Sequence, residues 1–391
     1  LRGGENEVTA FNANSGSKES AEPLLRSKMP ELDTIRGIAI LWVLVHHAFL
    51  PSRGPFTSLQ LVFLKGTSAG HLGVNLFFVL SGFLITGLLL DSRERADYFK
   101  RFYVRRALRI LPAYYAILIL LVVLGMTSRG FLIASLLYCA NLSLLFGFPM
   151  SYKVLWSLAV EEQFYLIWPA IIRIVSIRRL LGIAVGTILV PIFLRYVSFR
   201  VAYPHGFVEN QATSFDFYTW NCADGLACGS LLAIVIRHFS FTRKQLLRFC
   251  AVLLGIAAVV EIGGIPLGVA SRRNAIGAAL QPTSWNIAFT GLLGVFLLLG
   301  TGPWKKLVTP RILRFFGEIS YGLYLIHYGV IQQYNRLIMR WRPEFAMRVN
   351  PFAGLWLCFL VAGSLSVLLA FLSRRYFEEP FLRLKNRWTG A

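Results

Sequence analysis

Acidic residues are scarce in this chain: 19 Asp and Glu stand against 40 Lys and Arg in 391 residues, a formal net charge of +21, and only 15% of all residues are charged. Cysteine is scarce too. The five, Cys139, Cys222, Cys228, Cys250 and Cys358, lack ligand spacing, which excludes both a disulfide framework and a zinc site. There is no G-x-S-x-G elbow and no P-loop, so neither a serine-hydrolase turn nor a nucleotide-phosphate cradle is expected. No internal repeat is visible. Residues 1 to 30 lack the apolar core of a cleavable leader and are rich in Ser, Glu and Asn. They are expected to form a disordered cytoplasmic tail ahead of one membrane domain at 31–391.

What the chain has is apolar surface: 56% of its residues are hydrophobic and its mean hydropathy is +0.59. A soluble domain cannot hide so much, so the expectation is an all-α polytopic membrane protein. Stretches at 35–51, 70–91, 111–128, 154–175, 180–199, 219–236, 247–268, 284–301, 318–339 and 353–373 make about ten transmembrane helices of roughly 20 residues each. The run Gly130 to Phe148 carries Asn141 and two serines and is expected to be a re-entrant or interfacial helix. The basic residues would suggest nucleic acid in a soluble protein. Here they fall in short runs between apolar segments, which indicates no nucleic-acid partner but topology signal and contact with membrane lipid or an anionic substrate. Most lie on the side that holds the amino-terminal tail, so both termini are expected in the cytoplasm, with the chain in the cell (inner) membrane.

Ionisable groups inside apolar segments are costly and point to function. Arg36 and His47 share one face of the first segment, roughly 16 Å apart along the axis, with His46 turned about 100° away. Asp33 precedes Arg36 at the spacing that lets a carboxylate reach the guanidinium. His71 opens the second segment, followed by Gly73, Ser81 and Gly82, which suit close helix packing. Arg105, Arg106 and Arg109 end a dense basic run and could present a phosphate-binding face on the inner surface. The adjacent Glu161 and Glu162 lie in the outer half of a segment, Glu161 at the depth of His47; Asp224 lies near the outer end of another. Tyr324 and His327 are one turn apart and can face one cavity. Arginines inside and His47, Glu161 and Asp224 outside divide the polar groups by side. A histidine with a carboxylate is a general-base arrangement that serves acyl or phosphoryl transfer. A proton relay in a proton-coupled transporter uses the same residue types, although no inverted repeat with broken helices is visible.

At these residues the sequence resembles the acyltransferase family 3 membrane proteins. The Arg-x10-His pattern is met by Arg36 and His47. The Gly73 to Phe83 run, Arg105-Arg106 to Pro112, Trp156 to Glu161, Ser320 to His327 and Tyr376-Phe377-Glu378-Glu379-Pro380-Phe381 are similar to further blocks of the family, in order. The resemblance implies transfer of an acyl group, commonly acetyl, from acyl-CoA bound on the cytoplasmic side to a hydroxyl of a saccharide or lipid-linked glycan on the outer side. It implies His47 as the catalytic histidine with Glu161 as its acidic partner, and the donor's phosphates near Arg36 and the basic run. Members often carry an arginine shortly before the aspartate of the sixth block, whereas Trp220-Asn221-Cys222-Ala223-Asp224 has none.

Overall fold

The computed structural model describes residues 24–26, 28–50, 54–204, 214–239, 241–269, 271–341 and 351–389. Most of the expected tail therefore lies outside the described residues. All regular structure among the described residues is helical.

Each of the ten apolar stretches becomes a helix, because in lipid a backbone must satisfy its own polar groups within the segment. These are α1 (Pro30–Phe49), α3 (Leu72–Asp91), α4 (Tyr98–Val123), α6 (Leu155–Ile174), α7 (Ile177–Ala202), α8 (Thr219–His238), α9 (Arg243–Gly263), α10 (Ala275–Leu299) and α13 (Ser320–Trp341), with the carboxy-terminal stretch as the tenth. That stretch runs through α14 (Pro351–Cys358), α15 (Ser364–Leu372) and α16 (Glu379–Thr389), joined by π-helical turns at Phe359–Gly363 and Ser373–Glu378. By length and composition, eight spans among the described residues can cross a membrane. α6 and α13 fall short of that apolarity, α6 through Glu161, Glu162 and Gln163, and α13 chiefly through the polar run Gln332 to Arg336.

The run from Gly130 to Phe148 divides into α5 (Arg129–Leu136) and a 3₁₀ segment Ala140–Phe146, each too short to span. Asn141 explains the interruption. Its amide donates to Thr219 Oγ1 at 2.9 Å and its Oδ1 accepts from Gln163 at 3.0 Å, tying the 3₁₀ segment to α8 and α6.

Two helices appear where loops were expected. α2 (Ser58–Ser68) is opened by a capping box, with Thr57 and Gln60 each satisfying the other's backbone N–H. α12 (Arg311–Glu318), preceded by the single turn α11 (Lys305–Val308), packs across the start of α1 through reciprocal glycines. A Cβ on Gly37 would lie 2.0 Å from Leu313 O, and one on Gly317 would lie 2.0 Å from Asp33 O. α3 and α8 approach as closely. A Cβ on Gly82 would lie 1.9 Å from Leu226 O and one on Gly229 would lie 1.8 Å from Val79 O, so only glycine permits this contact. Gly73 likewise meets Ala39 O. Ser81, grouped with these residues by sequence, donates instead to Glu161 Oε1 at 2.7 Å.

Candidate active site

α4 begins at Tyr98, well before its apolar stretch, so Arg105, Arg106 and Arg109 are helical residues rather than loop residues. Helical rise puts Arg106 and Arg109 roughly 12 to 16 Å along α4. Arg36, Arg106 and Arg109 line a cavity of about 260 Å³, together with Ser81, Glu161 and Tyr324. Arg105 is not among its lining residues. Arg36 is held by Asp33 at 2.6 Å, the i, i+3 contact that the spacing predicts. The Arg106 guanidinium stacks 3.9 Å from the centroid of the Tyr165 ring. A neighbouring cleft shared by Asp33 and Arg36 adds Lys28 and Arg314, so basic groups continue from the cavity toward the start of α1.

A second cavity, of about 330 Å³, holds His46, His47, His71, Lys153 and Asp224 among its lining residues. Val74, Phe78 and Tyr324 border both cavities and form the wall between them. Ser157 Oγ and Tyr324 OH lie 2.5 Å apart and brace that wall.

His47 is bound on both sides of one nitrogen. Its Nδ1 lies 3.0 Å from Val43 O and 3.1 Å from His327 Nε2, while His327 Nδ1 lies 2.9 Å from Leu323 O. A carbonyl can only accept, so each Nδ1 carries the ring proton. His327 Nε2 then offers its lone pair to the same His47 proton, and His47 Nε2 is left as a lone pair. An imidazole so oriented has the form of a general base. Tyr152 fixes the segment of α13 behind it, donating to Leu325 O at 2.6 Å and accepting from Gly329 N at 2.9 Å. The Tyr328 ring meets His47 edge-on at 5.2 Å.

The expected pairing of His47 with Glu161 is not the one observed. Glu161 accepts from Ser81 Oγ at 2.7 Å and lines the arginine cavity, across the wall from His47. Helical rise along a residue's own segment does not decide which neighbours its side chain meets. Asp224 does line the second cavity with His47, but it is taken by Arg195 of α7. Arg195 donates to Asp224 at 3.1 Å, and Thr283 donates to the same carboxylate at 2.6 Å. Arg195 also reaches the carbonyls of Asn221 and Ala279, so both members of this buried pair are saturated. The arginine absent ahead of Asp224 thus arrives from another helix. Sequence reasoning missed Arg195, Ser157, His46 as a lining residue, and Lys153. The signal for Arg195 was a lone arginine inside an apolar stretch.

A polytopic helical membrane protein with two cavities, one holding three arginines and one three histidines, meeting at a wall of Val74, Phe78 and Tyr324, is the class that fold and site define. An acyltransferase domain model matches residues 29–375, and the chain belongs to that family. It is 29% identical over 385 residues to the peptidoglycan O-acetyltransferase OatA of Listeria monocytogenes, covering 91% of this chain and 56% of that protein. A putative peptidoglycan O-acetyltransferase of Bacillus subtilis, YrhL, is 29% identical over 341 residues, 78% of this chain and 48% of its own length. A putative O-acetyltransferase of Staphylococcus aureus is 26% identical over 384 residues, covering 90% and 57%. The chain thus spans about half the length of these relatives. No solved structure matches it.

Proposed function

We propose that this chain is an integral membrane O-acyltransferase that moves an acyl group, in the first instance acetyl, from cytoplasmic acyl-CoA to a hydroxyl of a saccharide or lipid-linked glycan on the outer side of the cell membrane. The observation that carries this reading is the pair of cavities on either side of Tyr324, one basic and one holding a histidine with a free Nε2 lone pair. The similarity to peptidoglycan O-acetyltransferases supports it. So does the excess of basic residues on the side of the amino-terminal tail, which favours cytoplasmic termini.

In this reading Arg36, Arg106 and Arg109 attract the donor's phosphates, with Lys28 and Arg314 at the approach, and the roughly 16 Å from Arg36 to His47 is spanned by the extended pantetheine arm. The acceptor hydroxyl gives its proton to His47 Nε2 as its oxygen attacks the acyl carbonyl. The carbon–sulfur bond breaks, and the thiolate of coenzyme A leaves and recovers the proton. His327 steadies the transient imidazolium by accepting its Nδ1–H. Glu161, held by Ser81, balances part of the charge of the arginine cavity.

Transfer of label from acetyl-CoA to a saccharide by the purified protein tests the proposal. Replacing His47 by alanine should remove at least about 100-fold of the rate, the usual worth of a general base. A His47→Ala variant as active as the parent would defeat the assignment of the base. Donor binding indifferent to both Arg36→Ala and Arg106→Ala would defeat the donor site.

A further inference from the structure

The outer cavity is lined by two carboxylates and three Lys or Arg side chains. Both carboxylates are matched: Arg272 holds Asp216 at 2.5 Å, and Arg195 holds Asp224 at 3.1 Å. Lys153 remains. It lies in the turn before α6, is exposed, lines the cavity, and has no ion-pair partner among the described residues. It shares that cavity with His47. An ammonium left over in a cavity whose other Lys and Arg cations are paired favours a ligand that brings the missing negative charge.

We propose that the hydroxyl acceptor carries an anionic group, a carboxylate or a phosphate, and that Lys153 holds it while the hydroxyl is presented to His47. This rests on the acyl-transfer reading of the same cavity. A role for Lys153 as a plain interfacial anchor fits less well, because an anchor needs no cavity and the outer side is where basic residues are otherwise fewest. Lys153 is thus a specificity residue: it selects the acceptor by charge and takes no part in the proton transfer.

The test uses the full chain in neutral detergent with labelled acetyl-CoA and two acceptors differing only in charge. One is an oligosaccharide of alternating N-acetylglucosamine and N-acetylmuramic acid with free lactyl carboxylates, and the other is its methyl ester. The parent should favour the free acid in kcat/KM by about tenfold, chiefly through KM, as one charge-assisted hydrogen bond supplies. Lys153→Ala should bring the ratio close to one, and Lys153→Arg should keep most of it. Lys65→Ala, which removes an exposed charge of α2 outside the cavity, should leave the ratio unchanged. A ratio near one in the parent, or one indifferent to Lys153→Ala, overturns the inference while leaving acyl transfer in place. Loss of the preference on adding phosphatidylglycerol would assign Lys153 to a lipid headgroup and also overturn it. If the parent acetylates neither acceptor, the acyl-transfer reading fails and takes this inference with it.

Discussion

Replacing Asp224 by alanine removes the counter-charge of Arg195 in a place where water cannot substitute, since both side chains are 1% exposed. The guanidinium would keep the carbonyls of Asn221 and Ala279, at 2.6 and 2.9 Å, but lose the carboxylate, and Thr283 would lose the acceptor it reaches at 2.6 Å. Breaking a buried pair by removing one partner costs about 3–5 kcal/mol. The apparent Tm in detergent should then fall on the order of 5 °C or more. Asp224→Ala combined with Arg195→Met removes the orphaned charge and should recover most of the loss, because apolar replacement of a whole pair is often close to neutral. A double-mutant cycle should give a coupling of about 2–3 kcal/mol. An Asp224→Ala variant within about 1 kcal/mol of the parent, or single variants whose effects simply add, would refute the description of this pair as a mutually dependent buried unit.

The glycine contacts make a paired prediction. Gly82→Ala and Gly229→Ala should each lower thermal stability strongly, because a Cβ would lie within 1.9 Å of a facing carbonyl oxygen. Gly182→Ala and Gly186→Ala on α7, where a Cβ meets nothing within 4 Å, should be neutral or stabilise by about 0.5–1 kcal/mol. Ser157→Ala and Tyr324→Phe each delete the hydrogen bond that braces the wall between the cavities, so each should slow transfer by roughly fivefold, the worth of about 1 kcal/mol. The double variant should be no slower than either single one, which a rate comparison at saturating donor checks. His327→Ala should slow transfer by roughly tenfold or more by removing the acceptor of the His47 proton, while His327→Gln, which keeps an acceptor, should retain more of the rate.

The helices were legible in the sequence because lipid imposes one rule on every spanning segment, and apolar length reports it directly. α2 and α12 were not, although Thr57 and Gln60 announce the first and the paired glycines Gly37 and Gly317 leave a trace of the second. The polar residues were legible as a set rather than as partners. Helical spacing fixes height and face on a residue's own helix, which suffices for Asp33 and Arg36 on one turn. It cannot say which other helix a face will meet. Glu161 therefore turns to Ser81 and the arginines, and His47 finds His327, which lies 280 residues away in the chain. Asp224 and Arg195 come together from different helices for the same reason. The basic run gave no sign that its helix starts as early as Tyr98, which brings Arg106 and Arg109 to one cavity with Arg36.

In the proposed reaction donor and acceptor enter from opposite sides and meet at the wall formed by Val74, Phe78 and Tyr324. Proteoliposomes with one uniform orientation test it most directly, with labelled acetyl-CoA on one face and a saccharide acceptor on the other. Label should reach the saccharide only when the donor is on the face of Arg36 and Lys28 and the acceptor on the face of His71 and Lys153, and His47→Ala should abolish it. Equal labelling with donor and acceptor together on the arginine face would contradict the claim.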